Sequence, residues 1–186
     1  MFIQTETTPN PSTLKFLPGK TVMLKGTANF ANEEESQKSP LAHALFMIKD
    51  VQSVFFGADF ISVTKADGEW QHLKPAILGA IMEHYTSAAP LFVDENAQDQ
   101  ESGDEFFEPE DAETVEGIKQ LLETRVRPAV AGDGGDIIFK GYRQGIVYLA
   151  MKGACSGCPS STATLKNGIQ NLMRHYLPEV VSVEQI

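Results

Sequence analysis

Alternating apolar and polar positions in the first third of the chain predict short β-strands. Turn residues separate these stretches, namely "TPNPS" and "PGK" near the amino terminus and "GAD" further along. The last two stretches meet at Gly57–Asp59 and predict a hairpin. The five predicted strands are residues 2–7, 13–16, 21–25, 51–57 and 60–65.

Helical periodicity and capping residues predict two helices in the same region. The first follows Ser39, a favoured N-cap residue, and begins with Pro40, because proline is well tolerated at the first helical position. The second covers residues 73–88, and we expect Trp70 to anchor its start. These strands and helices predict an α+β domain over residues 1–93.

A second α+β domain is predicted over residues 111–186, with the element order α-β-β-α-β. Its "GDGGD" stretch predicts a helix-to-strand turn in which the Asp side chains bond nearby backbone, and we assign no catalytic role to Asp133 or Asp136. A hairpin over Arg143–Gly145, a helix and a final strand follow. The apolar residues expected on the inner faces of its two helices are Val115, Ile118, Leu121, Leu122 and Val126, and Leu165, Ile169, Leu172 and Met173.

The segment between the two domains, residues 94–110, is strongly acidic. Through Asp111 it holds nine acidic residues and no basic one, which leaves 16 of the 25 acidic residues against 15 basic ones elsewhere. Such a segment repels itself and cannot bury a core, so we expect a solvated, flexible linker. The alternative is an interaction tail in which Phe106 and Phe107 form a docking motif.

Charge and hydropathy exclude two classes of partner and bear on location. No Lys/Arg stripe exists to bind phosphates, so no nucleic acid is expected, and no apolar run approaches the length of a membrane span. The first residues resemble neither a secretory signal nor an Arg-rich transit peptide. We therefore expect a cytoplasmic protein of a bacterium, or a mitochondrial matrix protein if a presequence has been removed.

The chemistry of the chain is concentrated in "KGACSGCPSS", which contains its only cysteines, Cys155 and Cys158. They lie between a predicted strand and a predicted helix, where a helix N-terminus favours the thiolate form that binds metals. The flanking glycines permit a tight loop. Ser160, Ser161 and Thr162 could cap the helix or donate to the sulphurs.

Two thiols are too few for a tetrahedral zinc or a cubane cluster, each of which takes four ligands. The four histidines have no metal-binding spacing. Two chains related by a two-fold axis would supply four thiolates to one shared centre. The residues themselves leave zinc and an iron–sulphur cluster both open. A dithiol that cycles through a disulfide, and an inert cysteine pair, are further alternatives.

Two longer stretches are more specific than the C-x-x-C spacing alone, namely "RPAVAGDGGDI" from Arg127 and "MKGACSGCPSSTATLKNGI" from Met151. They resemble the two signatures of the NifU C-terminal-domain family of iron–sulphur cluster carriers, the Nfu type. The amino-terminal half is similar to that family's own N-terminal domain through "TPNPSTLKF" and "VQSVFFGADFISVTK". The resemblance thus covers both predicted domains.

The resemblance implies a carrier and not an enzyme. It implies that Cys155 and Cys158 are the ligands of a [4Fe–4S] cluster, or of a [2Fe–2S] cluster in some members, bridged between two subunits. The expected partners are a second copy of the chain on cluster binding, an upstream scaffold or carrier, and apo-proteins that receive the cluster. The additional cysteine-bearing domains of full-length NifU scaffolds are not found in this sequence.

Overall fold

The computed structural model describes residues 1–94, 105–156 and 159–186. The chain divides into two compact units, Met1–Glu101 and Ser102–Ile186. Helices and strands occur in both, so the predicted α+β class is confirmed. Within the described residues, no helix combines the length and the apolar composition needed to cross a bilayer.

The described residues of the first unit form five strands and three helices. The strands are β1 (Gln4–Thr7), β2 (Thr13–Leu17), β3 (Ala28–Phe30), β4 (Val51–Phe56) and β5 (Ile61–Lys65), and the helices are α1 (Glu33–Ser36), α2 (Pro40–Phe46) and α3 (Trp70–Ser87). The strands make one antiparallel sheet with the strand order β1-β2-β5-β4-β3. Phe16, Phe56 and Ile61 are among the fully buried side chains of this unit.

Capping and turn chemistry place most of these elements where the sequence predicts them. Ser39 caps α2 by accepting a hydrogen bond from the backbone N–H of Ala42, as predicted. β4 and β5 form the predicted hairpin. Trp70 begins α3, and its indole N–H donates to the carbonyl of Pro11 at 3.1 Å. This bond ties the start of the helix to the "TPNPS" turn.

The predicted strand over residues 21–25 is wrong. Val22 and Met23 are both buried, and both donate their backbone N–H groups to the carbonyl of Ala58. In a strand, successive residues point to opposite faces and donate to different partners. This segment is therefore an irregular loop that covers the core, and the unpredicted β3 supplies the edge strand next to β4.

The second unit has the predicted α-β-β-α-β order. After a short 3₁₀ turn at Pro109–Asp111, its elements are α4 (Ala112–Leu121), a π-helical turn (Leu122–Val126), α5 (Arg127–Gly132), β6 (Gly135–Arg143), β7 (Ile146–Gly153), α6 (Pro159–Tyr176) and β8 (Ser182–Gln185). The strand order in the sheet is β6-β7-β8. β6 and β7 are antiparallel, whereas β8 is parallel to β7.

One continuous core lies between the sheet and the helices of the second unit. Ile118, Ile137, Leu149 and Met173 are fully buried within it. The predicted inner positions agree, with Leu121, Leu165 and Leu172 at its margin. The hairpin turns at the predicted place, where Gln144 and Gly145 both have positive φ, the conformation of a type I′ turn.

The predicted linker, residues 94–110, lies mostly outside the described residues, and its last part belongs to the second unit. Phe106 forms a parallel bridge with Gly141 of β6: its N–H donates to the carbonyl of Lys140, and its carbonyl accepts from Tyr142. Its ring lies 5.1 Å from that of Tyr148. The linker's solvated character and the three predicted ranges, 1–93, 94–110 and 111–186, stay predictions.

Replacing Phe106 with alanine is expected to cost about 1 kcal/mol more unfolding free energy than replacing Phe107, because only Phe106 has a described aromatic contact. The two rings are matched in exposure, at 37% and 39%. Urea unfolding followed by far-UV circular dichroism measures the difference. Trp70 fluorescence, which reports on the first unit, should be unchanged. Equal losses for the two variants would contradict the expectation.

Candidate functional site

The predicted site lies in the loop between β7 and α6. Cys155 is two residues beyond the end of β7, and Gly157 and Cys158 lie outside the described residues. Gly153 has a φ of +66°, and its carbonyl accepts from the N–H of Ser156 at 3.0 Å. A tight turn at the strand end thus carries Cys155 towards the N-terminus of α6, which is the strand-to-helix placement that the sequence predicts.

Cys155 is turned into the protein. Its exposed fraction is 6%, and its side chain belongs to the core cluster that includes Ile137, Met151 and Ile169. A metal-binding thiolate must reach its metal, and reactive cysteines are usually partly exposed. The described conformation is therefore one in which this thiol is withheld from solvent.

The "GDGGD" turn packs directly against this cysteine. A Cβ atom placed on Gly135 would lie 2.8 Å from the Cys155 sulphur and 2.7 Å from the carbonyl oxygen of Lys152. Gly134, with a φ of +81°, accepts a hydrogen bond from the N–H of Ala154 at 3.2 Å. The sequence predicts the turn but not its contact with the cysteine loop, which depends on the register of β6 against β7.

An ion pair fixes the start of β6 beside this contact. The Nε and Nη2 atoms of Arg127 each donate to Asp136 at 2.8 Å, and Asp136 is 3% exposed. Asp136 also accepts from the backbone N–H of Ile137. The hydrogen bond to Asp136 raises the pKa of Arg127 above its ordinary value, although burial opposes this. Asp136 thus has a structural role: its bond to the nearby backbone is the one that the sequence predicts for this turn, whereas its pairing with Arg127 was not predicted.

Thr162 holds the loop from the helix side. Its hydroxyl donates to the carbonyl oxygen of Cys155 at 3.3 Å. This contact of Thr162 is to the backbone and not to sulphur, and the side chains of Ser160 and Ser161, the other two predicted donors, lie outside the described part of the structure. The loop is therefore attached at both ends, to Gly134 on one side and to Thr162 on the other.

Within the described part of one chain, no three His, Cys, Asp or Glu side chains lie close enough together to hold a metal ion. Three of the four histidines are in the first unit, and His175 is near the end of α6. Nothing described here supports zinc bound within a single chain. The loop places a thiol at a strand-to-helix junction, and Gly135 and the Arg127–Asp136 ion pair lie beneath it.

Comparison with known proteins accounts for both halves of the chain. Residues 3–88 match the family described as "Scaffold protein Nfu/NifU N terminal". Residues 118–184 match the family described as "NifU-like domain". A solved structure of a NifU-like protein from Saccharomyces cerevisiae is 27% identical over 51% of this chain and 87% of that one, with a TM-score of 0.46.

Two curated relatives align with the whole chain. NifU-like protein 4, mitochondrial, from Arabidopsis thaliana is 53% identical, and this chain spans about two thirds, 66%, of its length. The protein named "NFU1 iron-sulfur cluster scaffold homolog, mitochondrial" from Homo sapiens is 52% identical, and 72% of its length is covered.

These names correct one prediction, and the similarity confirms another. The expected bacterial cytoplasmic location is wrong, since the similar curated proteins are named as mitochondrial, which favours the mitochondrial alternative. The resemblance seen in the two signatures is confirmed, because relatives more than 50% identical extend over both halves of the chain. The chain belongs to the Nfu family of NifU-like proteins.

Proposed function

We propose that this protein carries an iron–sulphur cluster and delivers it to apo-proteins, without catalysing a reaction of its own. The observation that carries the proposal is the whole-chain similarity to a protein named as an iron–sulphur cluster scaffold. The C-x-x-C loop supports it, because its first cysteine lies at a strand-to-helix junction within the matched NifU-like region. Thiolates are the ligands that such clusters require.

Cys155 and Cys158 are the ligands in this proposal, and two chains share one cluster. A [4Fe–4S] cluster takes four thiolates, and one chain has two. A symmetric homodimer that forms on cluster binding supplies the remaining two. A [2Fe–2S] cluster also takes four thiolates and is the alternative cargo. The domain proposed at residues 111–186 holds the cluster, and residues 94–110 connect it to the domain proposed at 1–93.

Delivery requires a site that binds the cluster and then releases it. Incoming thiolates replace the ligands one at a time. A cluster between two subunits becomes accessible to these thiolates when the subunits separate, and neither subunit has to unfold. An upstream scaffold or carrier loads the dimer, and an apo-protein with free cysteines receives the cluster. The glycine-flanked loop that carries the cysteines suits such an exchange, because glycine permits backbone rearrangement.

Anaerobic reconstitution with ferrous iron and sulphide, followed by native mass spectrometry, tests the proposal. The expected product is a dimer that carries one four-iron, four-sulphide unit. Mixing it with an apo-ferredoxin of the four-iron type, with a chelator present to trap released iron, should transfer the cluster. A monomer without added mass, or a dimer that holds only zinc, would contradict the proposal. Efficient reduction of insulin disulfides by the iron-free protein would favour a dithiol oxidoreductase.

A further inference from the structure

We propose that Gly135 is a positioning residue that holds the Cys155 thiol against β6 in the cluster-free protein, so that cluster loading begins with release of this thiol. In the closed state the Cys155 thiol is packed against β6, and in the open state it is free to bind a cluster. The purpose of these two states rests on the proposed function. The physical claim concerns the cluster-free chain alone and is tested without iron.

Cys155 packs directly against Gly135. No side chain fits at position 135, since even a Cβ would lie 2.8 Å from the sulphur and 2.7 Å from the carbonyl oxygen of Lys152. Real Cβ atoms are essentially never closer than 3.0 Å to such neighbours. The missing side chain of glycine is therefore the space that the thiol occupies. Any larger residue at this position must displace either the cysteine or β7.

The strand beneath the thiol is anchored by charge-assisted hydrogen bonds, whereas two hydrogen bonds that attach the loop above it are long. Asp136, the next residue of β6, is anchored by two 2.8 Å hydrogen bonds from Arg127. Two of the bonds that attach the loop are the bond from Ala154 to Gly134 at 3.2 Å and the bond from Thr162 to Cys155 at 3.3 Å. These two lie at the long end of the hydrogen-bond range, where the attraction is weaker. Opening should therefore move the loop and leave the strand in place.

The closed state has a chemical consequence. A cysteine thiol is oxidised or captured by a metal only when it is accessible and ionised. With 6% of its surface exposed, Cys155 is sheltered from both reactions in the described conformation. A shared four-thiolate site requires the opposite arrangement, in which this sulphur faces a second chain. The same residue therefore has to change its environment between the empty and the loaded protein.

Alkylation of iron-free, full-length protein by iodoacetamide measures this sheltering. In a Cys158→Ser background, Cys155 is the only thiol, so the added mass reports on it alone. We expect alkylation in the native protein to be at least about tenfold slower than in the same protein unfolded in urea, as for a group that reacts through local opening. Equal native and unfolded rates would overturn the inference.

Substitution at the glycine tests its role. In the same background, Gly135→Ala should raise the native alkylation rate by at least about fivefold, because the added methyl group displaces the thiol. Gly132→Ala is the matched control, since a Cβ at position 132 meets nothing within 4 Å, and its rate should be unchanged. Equal rates for two folded variants would contradict the role of Gly135.

A second variant covers the case in which Gly135→Ala does not fold, as judged by circular dichroism. Thr162→Val keeps the shape of the side chain and removes its bond to the Cys155 carbonyl. It should raise the native alkylation rate about twofold, and an unchanged rate would count against the closed state. Failure of the protein to bind a cluster would contradict the proposed function and leave these rates as they are. Fast alkylation of native Cys155 would contradict the closed state and leave cluster binding possible.

Discussion

Arg127→Met is expected to lower the free energy of unfolding of the second unit by about 3 kcal/mol. The substitution removes two charge-assisted hydrogen bonds from Asp136, whose carboxylate is almost completely buried. A buried charge without its partner costs far more than the pair itself contributes, because nothing replaces the water that the carboxylate has lost. The loss falls at the start of β6, the strand that underlies the cysteine loop.

Two further variants separate this explanation from a general loss of packing. Arg127→Met/Asp136→Asn removes both charges and keeps an oxygen to accept from Ile137, so it should recover at least half of the lost stability. The side chain of Glu123, the second partner of Arg127, is 64% exposed. Glu123→Gln should therefore lower the free energy of unfolding by less than about 0.5 kcal/mol.

Urea unfolding followed by far-UV circular dichroism gives the three free energies. Trp70 fluorescence provides an internal reference, because the only tryptophan lies in the first unit. A double variant as unstable as Arg127→Met alone would show that packing of the arginine stem, and not the unpaired carboxylate, dominates.

Local rules were sufficient for most of the fold. Ser39 followed by proline marks a helix start from two residues alone, and the Gln144–Gly145 turn needs only two positive φ values. Residues 21–25 show the limit of the same approach. Their alternation is typical of a strand, but Val22 and Met23 are both buried, and both bond to Ala58 from a distant turn. A tertiary contact overrides the local preference there.

The same distinction applies to the candidate site: some of its features are visible in the sequence, and others depend on tertiary contacts. C-x-x-C and its flanking glycines are visible in the sequence, because their chemistry is carried by adjacent residues. The contact of Gly135 with Cys155 and the pairing of Arg127 with Asp136 depend on how a helix, a turn and two strands are placed together. One signal was present: Arg127, Gly135 and Asp136 all occur in a single signature, and the predicted turn accounts for the glycines and the Asp side chains but not for Arg127. A charged residue unexplained by its own turn is a reason to look for a distant partner.

At the end of the acidic segment, composition also failed to predict a tertiary contact, that of Phe106. Composition groups Phe106 with the nine acids around it and predicts a solvated chain. The structure pairs Phe106 with the edge of β6, whose one neighbouring strand among the described residues is β7. An unpaired strand edge readily accepts another segment. Composition describes the average environment of a segment and does not identify the one residue in it that finds such an edge.

Cys155→Ser and Cys158→Ser should each reduce the iron bound after anaerobic reconstitution by at least about tenfold. The expected loss is large because of symmetry: one substitution removes two of the four thiolates from a homodimer, and a serine hydroxyl is a poor ligand for iron at neutral pH. Iron and sulphide analysis, with the visible absorbance of the cluster, measures the loss. Ser156→Ala is the matched control, since Ser156 lies between the two cysteines and is exposed.

A mixed dimer distinguishes a shared cluster from one held by each chain separately. When wild-type and Cys155→Ser chains with different tags are combined, the mixed dimer keeps three thiolates around one shared site, so native mass spectrometry should detect weak or partial cluster binding. If each chain bound its own cluster, the mixed dimer would instead carry one full cluster on its wild-type half. That outcome would contradict the shared site while leaving Cys155 as a ligand. Full iron content in the Cys155→Ser homodimer would remove this residue from the site altogether, and the buried thiol beside Gly135 would then be a core side chain and not a ligand in its closed state.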